Sequence, residues 1–395
     1  MGAVWDIVVV GAGSAGVAAV EAAHQQNPAA RILLLDADDE APYQRTELSK
    51  HIASGFDPGQ FRLYDDQWFA RNNVTLRVGE AVAGLDPAQH ECRLAGGDVL
   101  QYRSLVLATG AEPVYPRIVR SHEEGSFFAL RTMRDAQRLI KDVASARTVL
   151  IDGMGVLALE VADQLVRMKK KPTLVGATAQ LMPRQLSTRA AEIMEEVLLR
   201  NKVKLMFQDE ILSFESNRKG GLDVALLRSS GVYDAVVVCI GVQPCTELAE
   251  AAGLHVERGV VVDEHLRSSD PSIYAAGEVA QHPDGSISHV WHAAEYQGRI
   301  AGSNAAGAQQ VYDRRPFRLT TNVFDTHVLS MNLPRDPQGY RVEEVEADTV
   351  YQGFYFAEDR LHGVVVLNDE SRSTLYSEAV IDQWSIDRVA EQLML

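Results

Sequence analysis

Two glycine-rich strings in this sequence have spacings that could hold a dinucleotide. The first, GAGSAG at residues 11–16, shows the full GxGxxG pattern. Gly11 would permit the tight turn, Gly13 would let a pyrophosphate approach the backbone, and Gly16 would let the following helix pack on the strand. Ser14 and Ala15 then stand where the first amides of that helix face the phosphates. Asp36 lies twenty residues beyond Gly16, at the end of the next apolar run, where a carboxylate can accept hydrogen bonds from both ribose hydroxyls. The second string, GMGVLA at residues 153–158, keeps Gly153 and Gly155, opens a helix at Val156, and replaces the third glycine by alanine, which still allows fairly close packing. Each loop predicts a ligand with an ADP half. The spacing alone does not separate FAD from NAD.

Both loops are set in the elements needed to position them. Residues 6–10 read as a buried parallel strand, 17–26 as a helix and 31–35 as a second strand. The pattern recurs as a strand over 148–151, a helix over 156–168 and a strand over 173–175. Two βαβ units are therefore expected. Short β-rich segments at 74–78, 104–107, 234–239 and 259–262 extend their sheets. The last stretch differs, with strands at 349–356 and 361–367 paired across a polar turn and a helix starting at Ser377.

Composition bounds the reading. The 395 residues exceed one ordinary core, and 46% apolar with 23% charged content is that of a globular chain. No apolar run approaches a membrane span, and the run at 7–10 is too short for an export signal. A formal charge of −16 argues against nucleic acid as a partner. Cys92, Cys239 and Cys245 are too scattered for a disulfide framework or a zinc site, so no metal and a reducing cytoplasm are expected.

Further segments carry a family resemblance. PYQRTELSK at 42–50, LATGAEP at 107–113, the second glycine loop and IYAAGEVA at 273–280, together with GAGSAG, are similar to the flavoprotein pyridine nucleotide disulfide oxidoreductase superfamily, in its short rubredoxin reductase-like branch. The resemblance implies an α/β fold with two Rossmann-like domains plus a small α+β C-terminal domain. FAD would be bound by residues 1–111 and 246–315, NADH or NADPH by 112–245, and the tail would span 316–395. By the same resemblance Arg45 holds the flavin, and Lys50 approaches its N5 region, where a cation would stabilise the charge of the reduced ring. Thr109, Gly110, Val82, Gly277 and Glu278 complete the FAD set. Gly241 joins Gly153, Gly155 and Val156 on the nicotinamide side. Glu160 is expected beside the nicotinamide, paired with Lys50.

Three positions depart from that pattern: Glu278 is one methylene longer than the usual Asp, Asp152 stands where glycine is more common, and Gly176 occupies the strand end that usually carries an acid. Arg184 is the nearest cation to that strand end. The stretch 46–49 has no cysteine. The resemblance then implies electron flow from NAD(P)H through flavin to a separate acceptor, such as a rubredoxin-like redox protein, another small acceptor or oxygen, without a thiol relay. Arg314, Arg315 and Arg318 are candidates for a docking patch, and a homodimer formed through the tail is implied at family level. The rival expectation is a flavin-binding sensor or assembly subunit with a degenerate nicotinamide site.

Overall fold

The computed structural model describes residues 4–116, 127–218 and 220–394. Residues 1–3 and 117–126, which belong to the first and second expected domains, lie outside the described residues.

Strand β1 (Trp5–Val10) ends in four buried residues, as a parallel strand covered on both faces must. Helix α1 (Ser14–Gln26) starts three residues ahead of the expected Val17, because Gly13 takes the extended conformation of an N-cap and the loop turns directly into helix. Strand β2 (Ile32–Leu35) is fully buried and lies parallel to β1, with Leu35 opposite Val10. Strand β3 (Val74–Arg77) extends the sheet beyond β2. Strand β4 (Val99–Leu107) is longer than the expected 104–107 because it serves two partners: its first half pairs antiparallel with Glu91–Leu94, its second half parallel with β1. Ile273–Ala275 returns much later in the chain to pair with β4. The segment expected at 259–262 forms only a short strand, Val260–Val261.

The second unit repeats this plan. Strand β5 (Thr148–Asp152), helix α2 (Val156–Arg167), and strands β6 (Lys171–Gly176), β7 (Lys204–Phe207) and β8 (Ala235–Val238) build a parallel sheet in the order β7-β6-β5-β8, with Phe127–Ala129 at its edge. Val175 stands opposite Asp152 as Leu35 stands opposite Val10. An antiparallel sheet of Ile211–Ser216, Leu222–Leu226 and Ser230–Tyr233 packs on the face carrying Leu150, Val175 and Val236. The chain passes between the two units through a short antiparallel pair, Ala111–Pro113 with Val242–Pro244.

Helix α3 (Trp291–Ala305) crosses α1 at backbone contact. A Cβ on Gly298 would lie 2.1 Å from Ala15 O and one on Gly302 2.0 Å from Ala19 O, so only glycine permits this approach. The tail folds as a five-stranded antiparallel sheet over 319–367, followed by helices Ser373–Ile381 and Ile386–Gln392. Its first strand is β9 (Leu319–Val323). The first tail helix begins at Ser373, ahead of the expected Ser377, and continues directly from a 3-10 turn over Glu370–Arg372. Among the described residues, no helix is long and apolar enough to cross a membrane.

Candidate active site

A cleft of about 1290 Å³ runs along the carboxyl ends of both parallel sheets, where open α/β sheets bind ligands. Gly11, Gly13, Ser14, Ala15 and Asp36 line one end; Gly153, Gly155, Val156 and Gly241 line the other. Arg45, Lys50, Thr109, Gly110, Glu160, Gly277 and Glu278 form the wall between them. Gly16 lies behind this surface. A Cβ there would sit 1.8 Å from Gly11 O, so Gly16 serves the packing of α1 on β1. Val82 is not among the residues lining the cleft; it opens the strand Val82–Asp86, paired with Leu94, two residues after Glu80, whose amide donates to Asp36 O.

The first glycine loop fits an ADP half. Gly13 has nothing within 4 Å of where its Cβ would be, so the surface there is bare backbone facing open space. Asp36 is held in place by its own chain, with Oδ2 accepting from Ala12 N at 2.6 Å and Oδ1 from Asp38 N at 2.9 Å. Burial raises its pKa against the pull of those two amides and of Arg45.

In the central wall, Arg45 donates to Arg131 O at 2.6 Å and Thr109 Oγ1 donates to Cys245 O at 2.9 Å, which ties the first unit to the crossover. Gly277 N donates to the buried Gln297 Oε1 at 2.7 Å. Glu278 reaches Arg131 Nη2 at 2.6 Å and lies 3.2 Å from His289 Nδ1, so the longer side chain is used in an ion-pair network. Burial alone would raise its pKa. His289 and Arg131 together outweigh that and bring it down to about 2.

The expected Lys50–Glu160 pair is corrected by the structure. Lys50 Nζ is bound to Glu47 Oε1 at 2.9 Å, three residues away on the same turn of chain. Glu160 instead accepts from two hydroxyls, Ser49 Oγ at 2.5 Å and Thr321 Oγ1 at 2.6 Å. Both Lys50 and Glu160 still face the cleft. Trp291 and His292 also line it, with His292 Nδ1 2.9 Å from Glu295.

Sequence reasoning missed Arg131, His289, Ser49 and Thr321. One signal was available for Arg131: Thr132 and Asp135 form a capping box that fixes the start of the helix Met133–Val143, and Arg131 is the residue just before that cap. The expected patch of Arg314, Arg315 and Arg318 is not a free cationic surface. Arg314 is bound to Asp284 and Ser286, Arg315 lies 4.4 Å over the Tyr296 ring, and Arg318 donates to Ser373 O and Ser377 Oγ.

The thiols are unsuited to redox work. Burial pushes Cys92 up to about 12 and, ahead of acidic neighbours, Cys245 up to about 11. Cys239 is pushed up by burial and then by Asp152 and Glu160.

Two glycine-loop units of one topology, facing each other across a single cleft in which burial pushes the Cys239 thiol up, define an oxidoreductase that binds a flavin and a nicotinamide dinucleotide. Comparison with known proteins agrees. Residues 5–298 match the family described as pyridine nucleotide-disulphide oxidoreductase. The ferredoxin–NAD(+) reductase component of the anthranilate 1,2-dioxygenase system of Burkholderia cepacia is 31% identical over 82% of this chain and 81% of its own length. Rubredoxin-NAD(+) reductase of Pseudomonas putida is 32% identical over 69% of this chain and 71% of its own. In fold, a ferredoxin reductase from Rhodopseudomonas palustris superposes with a TM-score of 0.89 at 24% identity, covering 98% of each chain. The chain belongs to the pyridine nucleotide-disulphide oxidoreductase family, in its rubredoxin reductase-like branch. It is an FAD-dependent NAD(P)H oxidoreductase that passes electrons through flavin to a separate acceptor without a cysteine relay.

Proposed function

We propose that the acceptor is a small redox protein of the ferredoxin or rubredoxin kind, reduced at the flavin edge of the cleft. The observation that carries this reading is that relatives are named as ferredoxin and rubredoxin reductases, combined with a stretch at 46–49 that has no cysteine.

FAD supplies a centre that accepts two electrons together and releases them singly. The chain's own groups do the rest. In this reading the amides of Gly13, Ser14 and Ala15 take the diphosphate, Asp36 takes the ribose hydroxyls, and Arg45, Thr109, Gly110, Gly277 and Glu278 seat the flavin half. Lys50 brings a positive charge to the wall between the two nucleotide ends, where charge on the reduced ring would be stabilised. Glu160, fixed by Ser49 and Thr321, presents a carboxylate edge for orienting a carboxamide rather than for moving a proton. Gly153, Gly155, Val156 and Gly241 receive the second dinucleotide. The division into an FAD domain of 1–111 and 246–315, a nicotinamide domain of 112–245 and a tail of 316–395 follows the same reading. So do a reducing cytoplasm and pairing of two copies through the tail.

Stopped-flow mixing with NADH, followed by addition of oxidised ferredoxin or rubredoxin, tests it. Rapid bleaching of the flavin and its recovery on adding the redox protein are expected. Bleaching that recovers only with oxygen would overturn the proposed acceptor. No bleaching by NADH or NADPH would return the chain to the sensor reading.

A further inference from the structure

The two glycine loops of this chain can be compared residue by residue, because both have the same register. In the first, Gly11 N donates to Leu35 O and the next residue along β2 is Asp36; in the second, Gly153 N donates to Val175 O and the next residue along β6 is Gly176. Gly176 therefore stands where Asp36 stands. The reason it carries no side chain lies in the loop opposite. A Cβ on Gly176 would lie 2.6 Å from Met154 Cγ, so Met154 fills the space that the strand-end acid needs. In the first loop the corresponding residue is the small Ala12, whose amide binds Asp36 instead.

The segment that crosses each strand end is also matched. Gly79 N donates to Asp38 O and Glu80 N to Asp36 O in the first unit; Gln208 N donates to Thr178 O and Asp209 N to Gly176 O in the second. This brings Glu210 across the end of β6. Glu210 is exposed, lines the cleft beside Gly176, Ala177 and Thr178, and makes no side-chain hydrogen bond or ion pair among the described residues. Nearby, Asp152 ends β5. It is 94% buried, since 6% of its surface is exposed, yet it lines the cleft and has no hydrogen-bond partner for its carboxyl among the described residues. A buried polar group left open to a cleft is one that a ligand can satisfy.

We propose that Glu210 supplies the carboxylate contact to the adenosine ribose of the nicotinamide dinucleotide that β6 lacks, and that it selects NADH over NADPH. This rests on the second loop being the nicotinamide site. A carboxylate accepts from the free 2′-hydroxyl of NADH and repels the dianionic 2′-phosphate of NADPH. Arg184, on the same wall, is the group that would favour the opposite choice.

Isothermal titration of the FAD-loaded protein with NAD+ and NADP+ reads this without relying on turnover. The unmodified protein should bind NAD+ at least about tenfold more tightly than NADP+, and E210Q should lose about tenfold or more of its NAD+ affinity, the worth of one charge-assisted hydrogen bond. Met154→Ala with Gly176→Asp in the E210Q background vacates the blocked space, rebuilds the strand-end acid and should restore NAD+ affinity. Equal or tighter binding of NADP+ by the unmodified protein, or an unchanged NAD+ to NADP+ ratio in E210Q, would overturn the proposal while leaving the nicotinamide site intact. If neither nucleotide binds the unmodified protein and neither bleaches its flavin, the site assignment itself is what fails.

Discussion

Arg131→Gln isolates the contribution of the ion-pair network around Glu278. Glu278 sits on the cleft wall with 18% of its side chain exposed, and its pKa is brought from 4.5 down to about 2 against the cost of burial. At roughly 1.4 kcal/mol for each tenfold change in proton affinity, that drop corresponds to about 3 kcal/mol of stability. Because the folded pKa is depressed, this contribution is fully present above about pH 4.5 and is lost as the pH falls towards 2. Removing the guanidinium leaves a buried carboxylate with only His289 beside it, and burial then pushes its pKa upward. Urea unfolding of the FAD-loaded protein, with FAD in constant excess, should show Arg131→Gln less stable by about 1 to 3 kcal/mol at about pH 7, the upper figure being the whole shift that Arg131 shares with His289, with the gap shrinking by about half near pH 3. The double variant Arg131→Gln with Glu278→Gln should recover most of the loss, since no orphaned charge remains. A loss below about 1 kcal/mol at neutral pH, or a double variant no better than the single one, would refute the argument that the pair offsets the burial of Glu278.

The glycines of the first loop should separate folding from binding. Gly11→Ala, with φ near +103° and a Cβ 2.2 Å from Ala108 O, should cost upwards of about 2 kcal/mol in thermal or urea unfolding; Gly13→Ala should leave unfolding nearly unchanged but weaken retention of FAD on dialysis. Asp152→Asn should be stabilising in a pH-dependent way. Burial first, and Glu210 second, push the Asp152 pKa up to about 7, so the native state holds a proton that the unfolded state releases above about pH 4; the gain from Asn should be absent near pH 4, grow between about 4 and 7, and reach at most about 4 kcal/mol above that. Iodoacetamide at neutral pH should label Cys92, Cys239 and Cys245 slowly and leave NADH-driven flavin reduction unchanged, which mass spectrometry with stopped-flow checks.

What could be read in advance divides by distance along the chain. The β1 and β5 runs, the glycine loops and Asp36 are local patterns, in which apolar content and turn geometry decide the outcome within some thirty residues. Contacts made across the fold were not legible. Ser49 meets Glu160 at a separation of 111 residues, Arg131 meets Glu278 at 147, and Thr321 meets Glu160 at 161. The Lys50–Glu160 expectation failed because Glu47 competes for Lys50 from one turn away, at little cost in side-chain ordering. Helix starts shifted where a loop or turn leads directly into the helix, at Gly13 and at the 3-10 turn Glu370–Arg372.

Glu160 also bears on how rigid the cleft is before any nucleotide arrives. Its carboxylate projects from α2 of the second sheet, one of its hydroxyl partners comes from the loop after β2 in the first unit, and the other from β9 of the tail. One side chain therefore joins three separately built sheets through two short hydrogen bonds. Losing either bond would leave a half-buried carboxylate short of a donor. The second glycine loop is thus held facing the first by contacts the chain makes with itself. The buried core that Leu48 and Ile52, on either side of Ser49, share with Leu159 of α2 and Val323 of β9 packs the same three attachments together.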